Sequence, residues 1–291
     1  MFAGIARGWG IAKTSWAVLK QHPKLLLFPI FSGAAFLVLF GLIVGSVVAG
    51  SKSAVVKRFF ENAQDGDVVT YAILFAIYFF STFVVIFFNA ALIFCALQAF
   101  AGKTPSIRGG ISTALGRLPQ ILAWTLVAST VGLLLSALQN FLKDRLGFLG
   151  SLLGGLVETA WLVVTYFAVP VIVVDGVGPV EAVKRSSSIL KRTWGESLGG
   201  EGGLGIISFL LFLPVILLVG LAATTARGFG ADAMLPIVLA AIIVPYVLAL
   251  TVVFTALGTI FRTGTYVYAT TGKAPGPMDA ALLQGAFRPK A

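Results

Sequence analysis

The sequence predicts an all-α, polytopic membrane bundle: six transmembrane helices paired as three hairpins, amphipathic helices on the cytoplasmic surface, and both termini cytoplasmic. Three observations predict it. Of 291 residues, 58% are hydrophobic and only 11% charged, with a mean hydropathy of +0.99, whereas an ordinary soluble domain carries about 25% charged residues. That composition excludes a water-soluble globule, a disordered tail and a collagen. The ionisable residues leave six long apolar windows between them. Finally, Lys and Arg gather on alternate connections, which sets direction across a bilayer.

The elements follow in order. Phe2, Ile5, Trp9, Ala12, Trp16 and Leu19 recur every three or four residues, so residues 1–22 form an amphipathic helix lying on the inner leaflet. Lys24 to Lys52 encloses 27 residues without an ionisable group, and Asp67 to Lys103 encloses 35. Arg117 to Lys143 and Glu201 to Arg227 each enclose 25. Asp232 to Arg262 encloses 29, as does Arg145 to Asp175, interrupted only by Glu158. A bilayer core needs about 20 apolar residues as helix, so each window is one span: about 25–49, 69–100, 118–141, 149–174, 204–226 and 233–262. The first window is too long for a cleaved leader and reads as a retained helix. Runs such as Ile237 to Val244 lack the alternation of a membrane β-barrel.

Fifteen basic residues fall before the first span, in the second and fourth connections and after the last span; six fall on the other side. The richer side is cytoplasmic by the positive-inside rule. Trp9, Trp16, Trp124 and Trp194 fall near that boundary as an aromatic belt.

The cytoplasmic connections share a plan. Gly102-Lys103-Thr104-Pro105, Gly176-Val177-Gly178-Pro179 and Gly272-Lys273-Ala274-Pro275 each follow an inward-going span. Gly releases the end of one helix and Pro starts the next; Gly116 to Pro119 repeats the string elsewhere. Amphipathic helices are expected over about 105–117 and 179–198, the latter with Val180, Val183, Ser187, Leu190 and Trp194 on one face, and over 277–288. The chain then reads as three parallel units, about 1–101, 102–175 and 176–271, within one membrane domain.

Pro170-Val-Ile-Val-Val-Asp-Gly followed by Pro179-Val-Glu-Ala-Val-Lys-Arg-Ser-Ser resembles a motif of multi-pass prokaryotic membrane proteins of unknown function. Trp16-Ala-Val-Leu-Lys-Gln-His-Pro-Lys-Leu-Leu-Leu-Phe-Pro29 fits the same group, which is similar to the membrane domain fused to some bacterial glycerophosphodiester phosphodiesterases. The resemblance implies the fold and a prokaryotic cell-membrane location. It implies no site, and this chain holds no phosphodiesterase domain to carry that activity.

Glu158 is the one ionisable residue inside a span, and such residues mark function or a polar partner. Sixteen residues separate it from Asp175, about 24 Å of helix, which places it nearer the outer interface, within reach of Gln139, Asn140 or Ser129. Asn89, Gln98 and Tyr78 in the second span, with Thr125 and Ser129 in the third, line a polar path or bond between helices. Gly41 with Gly45 and Gly150 with Gly154 suit close helix packing, and Pro170, Pro214 and Pro245 suit kinks. Glu61, Asn62, Asp65 and Asp67 in an outer loop lack a complete calcium-loop pattern. Ser186-Ser187-Ser188 beside Lys184 and Arg185 offers a phosphate or modification site, or simply small helix-face residues. Cys95 reads as a packed thiol and His22 as an interfacial residue.

With one His, one Cys and no phosphate-cradling loop, neither an enzyme nor a metal or cofactor site is expected. The net charge of +10 faces anionic headgroups at closer range than nucleic acid, each basic group there contributing about 1 kcal/mol. The headgroup ligands predicted are Arg7, Lys13, Lys20, Lys24, Lys184, Arg185, Lys191 and Arg192. The reading is a non-enzymatic, lipid-interacting or scaffold-type bundle, with inner-leaflet anionic lipids as partners and a second copy or another membrane protein admitted. The alternative is a transporter or channel for a small solute or lipid, working through Glu158 and proline-kinked spans.

Overall fold

A computed structural model describes residues 13–49, 68–228 and 234–273, and every regular element among them is helical. Arg7, the acidic loop of Glu61 to Asp67 and the helix expected over 277–288 lie outside the described residues, as do the side chains of Arg192 and Trp194. Helix α1 covers 13–21 and stops where Pro23 forces the preceding residue out of the α region; a 3-10 turn, Pro23–Leu26, redirects the chain. Then come α2 (Leu27–Ala49), α3 (Val68–Phe100), α4 (Ile107–Gly116) and α5 (Leu118–Leu146). They are followed by α6 (Phe148–Val164), α7 (Ala168–Asp175), α8 (Pro179–Gly228) and α9 (Met234–Thr271).

Among the described residues, five stretches are long and apolar enough to cross a membrane: Pro23–Ile43, Tyr71–Phe100, Leu118–Leu146, Phe148–Asp175 and Ala241–Thr271. The window at 204–226 lies in α8, where Ile207–Val219 is a shorter apolar stretch. Here the structure differs from expectation, because α8 runs unbroken through Gly199 to Gly203. Each glycine costs a helix about 1 kcal/mol relative to Ala, but glycine without a following proline does not stop it. The expected span 149–174 is interrupted instead, at Thr165 to Phe167.

Gly102, Gly176 and Gly272, the three glycines of the recurrent string, all take left-handed backbone, with φ of 71°, 67° and 71°. After α3 the amide of Lys103 donates to the Gln98 carbonyl (2.9 Å) and that of Gly102 to Ala99 (3.1 Å), the paired Schellman closure. Gly176 donates to Ile172 (3.0 Å) and Gly272 to Tyr268 (2.8 Å), the single-bond form of the same stop. Gly116 adopts no positive φ; α4 ends there because Pro119 occupies the first turn of α5.

The chain forms two compact units. One comprises Leu27–Cys95 and Ser106–Lys191. Its buried side chains concentrate at one end: Phe28, Ile86 to Cys95, Ile121 to Ser129, and Val163 to Val173. Its large exposed apolar side chains concentrate at the other: Phe36 to Leu42, Val68 to Phe80, Leu133 to Leu146, and Phe148 to Leu162. The closed end depends on Gly110 of α4. A β-carbon there would lie 2.8 Å from Cys95 Sγ, 2.9 Å from the Ala91 carbonyl and 2.9 Å from Phe28 Cζ. The Cys95 thiol, donating to the Ser106 carbonyl at 3.3 Å, ties the same junction. At the open end α5 and α6 turn through Gly147 alone, at φ 57°. Gly150 then packs against the Leu142 carbonyl and Gly154 against Gln139.

The other unit comprises Met1–Leu26, Ala96–Pro105 and Arg192–Ala291. Its core holds Leu204 against Phe261, with Val18, Leu19, Leu25, Ala256 and Ile260 also buried. Tyr246 of α9 donates to the Leu211 carbonyl of α8 at 3.0 Å, next to the Leu210 carbonyl whose usual helical donor would be the amide Pro214 lacks.

Gly110→Val is expected to lower stability by about 1–3 kcal/mol through overpacking against backbone, whereas Gly155→Ala, whose β-carbon meets nothing within 4 Å, should be neutral or slightly stabilising. Thermal unfolding of the two variants in detergent checks this.

Candidate functional site: a clasped helix break and its charged corner

The break in the α6–α7 span is a change in backbone pairing. Ala168 donates to the Thr165 carbonyl (2.9 Å) instead of Val164, and Tyr166 donates to Val163 (3.3 Å). This 3-10 tightening interrupts the regular helical ladder at the Val164 carbonyl and the Phe167 amide, just before Pro170, which has no amide to offer. Ser186 of α8 bonds both. Its hydroxyl donates to the Val164 carbonyl at 2.7 Å and accepts from the Phe167 amide at 2.9 Å. Ser186 is fully buried, as are Phe167, Ala168, Val171 and Ala182.

Around this clasp lies a charged corner. Gly176 ends α7, and its left-handed backbone sits against the Arg117 guanidinium; a β-carbon would collide with it. Gln120 donates its amide to the Gly176 carbonyl at 3.3 Å. Arg185 donates to Asp175 (2.9 Å) and, one turn back on its own helix, to Glu181 (2.9 Å). Those bonds hold the Glu181 carboxyl below its ordinary pKa, first through the Arg185 hydrogen bond, and raise that of Arg185. The motif from Pro170 to Ser187 is thus a structural corner.

Two residues of the polar set meet inside the hairpin: Gln139 donates to the Glu158 carboxylate at 2.5 Å. Ser129 is buried with no hydrogen-bond partner, Asn140 is exposed, and neither contacts that carboxylate by hydrogen bond. Asn89 and Gln98 are half-buried on α3. Trp124, expected in an interfacial belt, is instead buried and stacked on Trp161, centroids 6.3 Å apart and planes 18° apart.

Among the headgroup candidates, Lys13, Lys20, Lys24, Lys184 and Lys191 are exposed, and Arg185 is engaged by two carboxylates. Both amphipathic stretches bury a face that shares only Leu19 and Leu190 with the expected apolar stripes. In α1 it is Ser15, Val18 and Leu19; in α8 it is Ala182, Ser186 and Leu190, while Val180 is 69% exposed. The signal available was the i, i+4 spacing of Ala182 and Ser186, which permits close helix approach. Among the described residues no cluster of His, Cys, Asp and Glu is arranged to hold a metal ion.

Apolar helices of spanning length, joined by left-handed glycines and a hydroxyl that closes a helix break, define a polytopic α-helical membrane protein. The chain belongs to DUF6159, a family of unknown function, whose sequence profile matches residues 68–276. Neither the curated proteins nor the solved structures contain a match to it.

Because the Glu181 pKa is depressed, its bond to Arg185 persists above the ordinary glutamate range and is lost as pH falls through the lowered value. Carboxyl-carbon NMR titration of Glu181 should give a midpoint below 4.5, the unperturbed value, returning towards it in Arg185→Gln.

Proposed function

We propose that this protein is a non-enzymatic, lipid-interacting scaffold of a prokaryotic plasma membrane, with six spans in three hairpins and both termini cytoplasmic. Anionic lipids of the inner leaflet are its partners in this reading, and nucleic acid is not. The observation that carries it is the exposure of Lys13, Lys20, Lys24, Lys184 and Lys191, all on the side that the basic asymmetry assigns to the cytoplasm. Two acids of the same connection, Asp175 and Glu181, grip Arg185. The kinship with phosphodiesterase-fused membrane domains belongs to the same reading and adds no activity.

Transport is the weaker reading. Glu158 is bonded to Gln139, and Pro214 and Pro245 sit inside unbroken helices. Two open clefts flank α3, one of about 520 Å³ between Phe36 and residues 74–86, the other of about 650 Å³ between residues 68–75 and Leu133. Their walls are mostly apolar, with Tyr78, Ser81 and Thr82 the polar side chains of the smaller one, which suits acyl chains better than a polar solute.

In intact cells, cysteines placed at Ser188 and Ala286 should resist an impermeant thiol reagent while one at Gln64 reacts; labelling at 188 would reverse the orientation. In native mass spectrometry, replacing Lys13, Lys20, Lys24, Lys184 and Lys191 by Gln should reduce retained anionic lipid several-fold, each contributing about 1 kcal/mol at most. Retention unchanged in the folded variant, or solute flux into proteoliposomes altered by Glu158→Gln, would overturn the scaffold reading.

A further inference from the structure

The three consecutive serines of α8 are sorted by the fold. Ser186 turns inward and is consumed by the helix break. Ser187 bonds back to the Lys184 carbonyl at 2.8 Å. Ser188 is exposed on the helix face opposite the buried Ala182–Ser186–Leu190 row. Residues three and four apart on a helix are neighbours, with β-carbons about 5–6 Å apart, so Lys184 at i−4 and Lys191 at i+3 flank Ser188, and both are exposed. Arg185, at i−3, is committed to Asp175 and Glu181, and the sequence places a further cation, Arg192, at i+4. The trio of Arg185, Asp175 and Glu181 carries net negative charge and repels an anion from its side. Among the described side chains, what remains is a hydroxyl between two exposed ammonium groups.

We propose that Lys184, Ser188 and Lys191 form a binding site for a phosphomonoester. The charge arithmetic selects this class: a phosphomonoester carries about −1.5 to −2 at neutral pH, which the two exposed lysines match and the adjacent Arg192 reinforces, whereas a phosphodiester headgroup carries a single charge. The hydroxyl donates to one phosphate oxygen, and the lysines, as point charges on flexible stems, meet the others. The site rests on the anionic-lipid reading above and gives it a place and a chemistry. The phosphate reaches it as a bilayer headgroup or as free phosphate.

The test uses the full chain in phosphatidylcholine nanodiscs doped with phosphatidic acid or, separately, phosphatidylglycerol, with retained lipid counted by native mass spectrometry. Phosphatidic acid should be held over phosphatidylglycerol. Lys184→Gln and Lys191→Gln should each lower its retention about fivefold, and Ser188→Ala about threefold. The paired control Lys103→Gln/Arg108→Gln, exposed residues on another connection, should keep the preference. Equal loss in that control, or equal retention of both lipids, overturns the site while leaving a diffuse lipid-binding surface. Retention of neither lipid by the unaltered chain overturns the lipid reading itself. Inorganic phosphate that displaces phosphatidic acid supports a site open to the free ion; failure to displace it supports a headgroup held within the bilayer.

Discussion

A bilayer offers no hydrogen-bond partners, so each backbone N–H and C=O of a spanning segment must be satisfied from within the protein. The architecture follows from how this chain meets that demand where its helices stop being regular. At Thr165 to Phe167 the regular helical ladder is interrupted at two backbone groups, and one buried hydroxyl, Ser186 Oγ, bonds both. At the ends of α3, α7 and α9 left-handed glycines fold the chain back onto its own last carbonyls. Leaving such a group unpaired costs about 1–3 kcal/mol even in an ordinary protein interior.

The Ser186 clasp also explains why the closed end is closed. To reach Val164 and Phe167, α8 must approach the α6–α7 span closely, and Ala182, one turn earlier, is small enough to permit it. Arg185, one residue before the clasp, then finds Asp175 at the end of α7, so the hydroxyl and the ion pairs hold one corner from two sides. The α5–α6 hairpin uses the complementary device at the open end: Gly150 and Gly154 let α6 lie against Leu142 and Gln139, which brings Glu158 within reach of the Gln139 amide. A lone acid in a span acquires a partner by this route, so its presence alone does not imply transport.

Much of this was legible in the sequence, and the reasons differ by element. Five spanning stretches follow from long windows that hold at most one ionisable residue, because burying charge in lipid is costly enough to leave gaps in composition. The left-handed glycines were legible from their recurrence at equivalent places, since few other residues tolerate that backbone. The pairing of Glu158 with Gln139 was one of three options that depth alone could not separate. Ser186 was not legible as a clasp: three adjacent serines look alike until helix geometry sends them in three directions. Trp124 looked interfacial because its position along the chain says nothing of its ring partner, Trp161. The window from Glu201 to Arg227 marked off a separate span, but a change in charge does not end a helix, and α8 runs on through it.

The account stands or falls on the clasp. Hydrogen exchange at the Phe167 amide, measured in lipid nanodiscs, tests it most directly. In Ser186→Ala the amide loses its acceptor and should exchange at least tenfold faster, the equivalent of about 1.4 kcal/mol. Ser187→Ala, which removes only a bond back to Lys184, should leave it unchanged. Equal protection of Phe167 in the Ser186→Ala variant and the unaltered chain would contradict the account.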